Sequence, residues 1–150
     1  HGRNGVCKVV DITHLDMSGV DKDQLYYALV PMKSEDSKIF YPVDSDKVVM
    51  RSVVTKDQAK DLVSEIKDIE PMRIENDRQR EAKYKEALVS CDCKQLICII
   101  KTMYARNKER IAKGKRITYV DDRYLKEAKQ NLNDEFSIAL GIEPRGWKIH

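Results

Sequence analysis

Residues 25–44 read LYYALVPMKSEDSKIFYPVD, two runs of alternating apolar and polar residues around a polar tip. That period of two predicts a β-hairpin, with arms at 24–30 and 38–43 joined by Lys33-Ser34-Glu35-Asp36-Ser37. Alternation puts Leu25, Tyr27 and Leu29 on one face and Tyr26, Ala28 and Val30 on the other. Both faces are partly apolar, so each needs cover. Pro42 cannot donate to a ladder, which places it at an edge or a strand end. Working outward, residues 6–12 (VCKVVDI) read as a further strand, and the polar THLDMSGVDKD at 13–23 reads as a connection punctuated by Gly19. Residues 48–54, a short strand or extended segment, would complete a small sheet.

The period changes at Thr55. Thr55-Lys56-Asp57-Gln58 is a capping box, and Ala59, Leu62, Val63, Ile66 and Ile69 follow at helical spacing until Pro71. Residues 70–74 read as a linker. Three more helices fit the remainder. The first, 76–90, starts on Asn76 and buries Tyr84, Ala87, Leu88 and Val89. Asp92 caps the second, which carries Leu96, Ile97, Ile99, Ile100, Met103, Tyr104 and Ile111 and ends at Gly114. Thr118-Tyr119-Val120-Asp121 opens the third, with Tyr124, Leu125, Ala128, Leu132, Phe136, Ala139 and Leu140 on its stripe and Gly141 and Pro144 at its end. The fold class is therefore α+β: a small antiparallel sheet, then an all-α unit. The expected divisions are 1–54 for the sheet, 55–74 for a capping helix and linker, 75–143 for the helical unit and 144–150 for a tail.

The chain has 150 residues, of which 41% are hydrophobic and 35% charged, with a mean hydropathy of −0.59. No apolar run approaches the roughly 18 residues a membrane helix needs, and HGRNGVCKVV at the start lacks the apolar region of a signal peptide. A cytoplasmic protein is expected. The net charge of +3 conceals an asymmetry. Residues 1–70 hold 10 Lys and Arg against 13 Asp and Glu, whereas residues 71–150 hold 18 against 12. A basic rear half points to a polyanionic partner.

Motifs for chemistry are missing. His1, His14 and His150 stand at the ends or in a loop, without a visible nucleophile. HGRNG matches neither phosphate-gripping glycine pattern. Asp121-Asp122 reads as helix N-terminal charge and not as a catalytic pair. CDCKQLIC at 91–98 has no common zinc spacing and no nearby histidine, so Cys91, Cys93 and Cys98, with Cys7, read as buried or half-buried thiols. On one continuous helix Cys91 and Cys98 would share a face, with Cys93 pointing elsewhere. No catalytic residue, metal or cofactor is expected, and the chain is not read as an enzyme. The informative feature is KTMYARNKERIAKGKR at 101–116, seven cations with Glu109 as the lone acid. Arg78, Arg80, Lys83 and Lys85 add to it from the preceding helix. A solvated helix end is the plain reading, while the one-sidedness of the run favours phosphate binding.

The order of these parts carries a resemblance. The hairpin ending in FYPVDSDKVVMRSVV (40–54) resembles a segment of the CarD family of bacterial transcription regulators. RIENDRQREAKYKEALVSCD (73–92) is similar to that family's entry into its helical domain, and EAKQNLNDEFSIALGI (127–142) to its final helix. The resemblance runs from Gly5 to Ile142. It implies a Tudor-like (SH3-like) sheet domain that binds the RNA polymerase β subunit by edge-strand pairing, through Lys38, Ile39, Phe40 and Tyr41. It also implies a helical domain that contacts promoter DNA at its backbone and minor groove and modulates the open complex. The cations matched to that role are Arg73, Arg78, Arg80, Lys108, Arg110, Lys113, Lys115 and Arg116. A nucleoid-associated, bacterial location would follow, and an exposed edge would also permit a homodimer by pairing or swapping.

Two departures stand out. The family starts with a further strand before the turn matched by HGRNG, so the sheet is expected to be one strand short. The family's wedge tryptophan is matched by Arg73, or by Asp77 if the gap is placed differently, and Trp147 in the tail matches nothing. The alternative reading, from another class, is a protein–protein adaptor whose basic helical unit binds an acidic protein in place of DNA.

Overall fold

In a computed structural model that describes residues 1–142, a three-stranded antiparallel sheet is followed by four helices, an α+β arrangement. The strands are β1 (Cys7–His14), β2 (Leu25–Pro31) and β3 (Ile39–Pro42), in the order β1-β2-β3. Tyr27 pairs with Tyr41 and with Ile12, so β2 is the central strand of the hairpin and of the sheet. The register between β1 and β2 slips between Val9 and Asp11. Val10 is the extra residue of this bulge, which bends and twists the outer strand. Both faces of β2 are covered in part, with Ala28 and Leu29 almost fully buried.

Residues 48–54 do not join the sheet. After a bend at Lys47–Val48 the segment has no regular secondary structure and makes no ladder. Its polar groups are satisfied elsewhere: Val49 O accepts from Gly2 N at 2.8 Å, and Val54 N donates to the Glu135 carboxylate at 2.9 Å. A helix side chain has taken the donor that a strand neighbour would otherwise have used.

The helices are α1 (Lys56–Glu65), α2 (Arg80–Ser90), α3 (Cys93–Ala112) and α4 (Tyr119–Leu140). The Thr55 capping box forms, with Thr55 Oγ1 accepting from Gln58 N and Gln58 Oε1 accepting from Thr55 N. Asn76 caps a short 3-10 turn, Asp77–Gln79, that leads into α2. Asp92 and Thr118 accept from Lys94 N and Asp121 N at the starts of α3 and α4. One core joins all four helices: Ala59 and Leu62 from α1 meet Tyr84, Leu88, Ile97, Ile100, Met103, Tyr124, Leu132 and Phe136. Pro71 lies beyond the helix it was expected to end, because α1 tightens into a 3-10 turn at Ile66–Asp68. The linker that follows is tied to α3, with Met72 N donating to Thr102 Oγ1 at 2.7 Å and Lys101 Nζ to Ile69 O at 2.7 Å.

Cys91 does not share a helix with Cys98. It ends α2 in the left-handed region (φ 56°), the only non-glycine residue with positive φ among those described, and Asp92 then caps a separate helix. All four cysteines are free; Cys93 is buried and the others half-buried. Among the described residues no group of His, Cys, Asp or Glu could hold a metal, and no helix is long and apolar enough to cross a membrane. Pro144 and Trp147 lie outside the described residues.

Candidate functional site

Two surfaces gather the residues singled out by sequence. The first is the outer edge of β3. Val43 N donates to Leu25 O at 3.1 Å. Alternation along an antiparallel ladder then turns the backbone of Tyr41 and Ile39 toward β2 and that of Phe40 outward. β3 has no strand on its far side, so the Phe40 N–H and C=O face solvent. Lys38 and the Phe40 side chain are exposed, Phe40 lying across from buried Ala28. Tyr41 is buried instead. Its hydroxyl accepts from Val48 N at 2.8 Å and reaches Ser45 O and Val48 O at 3.3 Å, and its ring meets His1 edge-on at 4.7 Å. Ile39 is half-buried. The four residues therefore divide into an outward pair, Lys38 and Phe40, and an inward pair that holds the strand in place.

The second surface is the end of the bundle where α2 and α4 begin and α3 stops. Arg106 ties these ends together, its guanidinium donating to Asp121 Oδ2 at 2.8 Å and Asp77 Oδ1 at 2.9 Å. Asp121 also accepts from the Tyr84 hydroxyl at 2.8 Å. Burial alone would raise the Asp121 pKa, but the bonds from Tyr84 and Thr118 and the Arg106 charge outweigh it and hold this carboxyl below its usual range. Arg80 belongs to the same network: it donates to Asp77 at 2.8 Å and to the Tyr84 hydroxyl at 3.3 Å, and is mostly shielded. Sequence alone counted Arg80 and Arg106 among surface cations, and nothing in the pattern betrayed their partners 3 to 29 residues away.

The remaining cations stand outward. Lys108, Lys113, Lys115 and Arg116 are exposed; Lys113 pairs with Glu109 at 2.8 Å, and Arg110 donates to Arg116 O at 2.9 Å, which folds the turn back on the helix. Arg78 is exposed on the neighbouring 3-10 turn. Arg73 sits apart on the linker, 90% exposed, with a loose ion pair to Glu75 at 3.9 Å.

The sheet and the bundle are joined along α4. Arg51 forms a bidentate pair with Glu135 at 2.6 and 2.8 Å and donates to Cys91 O at 2.7 Å. Arg3 grips Glu127 at 2.8 and 2.9 Å and lies over the Tyr124 ring. Burial opposes ionisation of Glu135, but Arg51 and the Val54 N–H keep its pKa low. The Cys93 thiol beside it is pushed up to about 12, by burial first and then by the Glu135 charge. That thiol is protonated and inert at neutral pH.

With this geometry in view, the comparison with known families is specific about the front of the chain. Residues 1–54 match the CarD-like/TRCF RID domain family. The match covers the three strands and the segment after them and stops before α1. It is consistent with a CarD-like protein and implies RNA polymerase interaction, with a role connected to transcription. A search of the curated proteins finds no match.

Proposed function

We propose that this chain is a CarD-like transcription regulator that holds RNA polymerase with its sheet and promoter DNA with its helical end. The observation that carries the reading is the unpaired outer edge of β3 inside the segment that matches the CarD-like/TRCF RID domain. An extended strand of the polymerase β subunit adds to that edge through the Phe40 backbone, with Phe40 and Lys38 supplying side-chain selectivity. Tyr41 and Ile39 keep the edge straight from the inside. At the other surface Arg78, Lys108, Arg110, Lys113, Lys115 and Arg116 meet phosphates, with Arg73 as an outlying contact. Arg80 contributes by fixing the surface, since its guanidinium is already engaged. Division of labour between a unit at 1–54 and one at 75–143, spanned by 55–74, is part of the same reading, as is residence in the bacterial cytoplasm at the nucleoid.

No bond is made or broken in this role. Holding polymerase and DNA at once favours whichever promoter state presents both, which shifts the population toward the open complex. The DNA contact need not be strong, because attachment to polymerase raises its effective concentration.

The test is a pull-down of the polymerase β subunit by the full chain, alongside the Phe40→Asp variant. Capture lost in the variant, with the fold intact by circular dichroism, supports the reading; equal capture overturns the β3 assignment. For the second surface, binding to a promoter duplex should weaken steeply with salt and collapse on charge reversal at Arg110, Lys115 and Arg116. DNA binding that survives reversal would leave the basic end to an acidic protein.

A further inference from the structure

The turn between α3 and α4 carries a feature that phosphate binding alone does not require. Tyr119, the first residue of α4, is 77% exposed, the highest value among the large hydrophobic side chains described. Its ring has no aromatic or cationic partner, and its hydroxyl has no hydrogen bond among the described residues. Ile111 (60% exposed) at the end of α3, Ile117 in the connection and Val120 beside Tyr119 in α4 are exposed as well. Four large apolar groups in a ten-residue stretch are costly to leave in water. Nothing local explains them, since each neighbouring cap is already complete: Thr118 serves Asp121 N, and Arg110 serves the Arg116 carbonyl.

The surroundings narrow what could cover this patch. Close to it in the chain, Lys108, Lys115 and Arg116 are exposed and in no ion pair among the described residues, while the neighbouring acids are taken: Glu109 by Lys113, Asp121 by Arg106, Asp122 by Lys126. An apolar partner alone would leave these cations unmatched, and the phosphates of a duplex alone would leave the ring unmatched. Bases stacked inside a duplex offer no face to a projecting ring. A single strand offers both, phosphates for the cations and a free base face for the aromatic ring.

From this we infer that the α3–α4 turn is a binding site for single-stranded nucleic acid, with Tyr119 as the platform on which an unpaired base stacks and Lys115 and Arg116 on the flanking phosphates. The inference rests on the nucleic-acid half of the proposed function and adds to it the kind of strand bound and the residue that reads it.

The experiment is fluorescence-anisotropy titration of the full chain with a labelled single-stranded oligonucleotide and with the duplex of the same sequence. The wild type is compared with Tyr119→Ala, Tyr119→Phe and the double variant Lys115→Ala/Arg116→Ala. Tyr119→Ala should weaken single-strand binding by about tenfold and duplex binding little, as expected for one lost stacking contact, while Tyr119→Phe should retain it. The double variant should weaken both. Tyr119→Ala binding the single strand as the wild type does would overturn the stacking site while leaving the DNA-contact proposal standing. Absence of binding to either oligonucleotide would remove both. Vesicles of mixed anionic and neutral lipid form the control arm: loss of vesicle binding in Tyr119→Ala with unchanged oligonucleotide binding would also overturn the inference. Because Tyr119 is exposed and outside the core, none of these substitutions endangers the fold.

Discussion

Gly5 shows how tightly single residues are constrained where the sheet meets α4. Its backbone combines a positive φ (72°) with ψ −145°, a conformation open essentially to glycine alone, and a Cβ there would stand 2.7 Å from Asn131 Oδ1. Asn131 is buried, and that oxygen has no hydrogen-bond partner among the described residues, so the side chain gives up no bond if it shifts and the backbone dihedral is the larger constraint. Gly5→Ala should cost about 2 kcal/mol, chiefly from the dihedral with a smaller part from the overlap. Chemical denaturation checks this, and Asn131→Ala in the same chain should restore part of the loss, because it removes the overlap and not the dihedral. The HGRNG stretch shows the two glycines but not Asn131, which lies far along the chain. The same blindness applies to Arg80, Arg106 and Arg51: each reads as a cation in sequence, and only the fold shows whether a carboxylate waits for it.

Among the elements, the four helices and the β2–β3 hairpin were legible because short-range signals agree with long-range packing. Thr55, Asp92 and Thr118 announce helix starts, and most of the apolar residues that follow are buried, although Val63, Tyr104 and Ile111 on the same stripes are exposed. Thr55→Ala should therefore cost about 1 kcal/mol in a urea titration, with Thr55→Ser near neutral. Residues 48–54 were harder. Val48, Val49, Val53 and Val54 favour extended backbone, but pairing depends on a neighbour that only tertiary structure supplies. Glu135 took that place. CDCKQLIC was divisible in sequence at Asp92, but not the fate of Cys91: it closes α2 in a conformation that side chains usually avoid, so it shares no helical face with Cys98.

For the whole molecule, acid should be a sensitive probe of the joints. Glu135, Glu127 and Asp121 all have pKa values held below their usual range, by Arg51 and the Val54 N–H, by Arg3, and by Tyr84, Thr118 and Arg106. A depressed carboxylate contributes stability that is complete above its unfolded value, here 4.5 or 3.8, and lost as pH falls through the folded one. Asp134 works in the opposite sense, because burial raises its pKa and its ionisation costs stability. Three groups against one make stability fall below about pH 4, which urea midpoints measured across that range should record. The open β3 edge was expected from the family resemblance and the cationic bundle end from charge; the division of each into outward side chains and inward props was not.

The segment after β3 is fastened at Val49, Arg51 and Val54 before it enters α1, and the Arg3–Glu127 pair adds a second tie to α4. A strap fixed at so many points has no free length in which to swivel. Under the proposed function, the distance from the β3 edge to the far tip of the bundle would then be a built-in measure, a caliper of one setting: whatever occupied one jaw would dictate how far along its partner the other jaw could close.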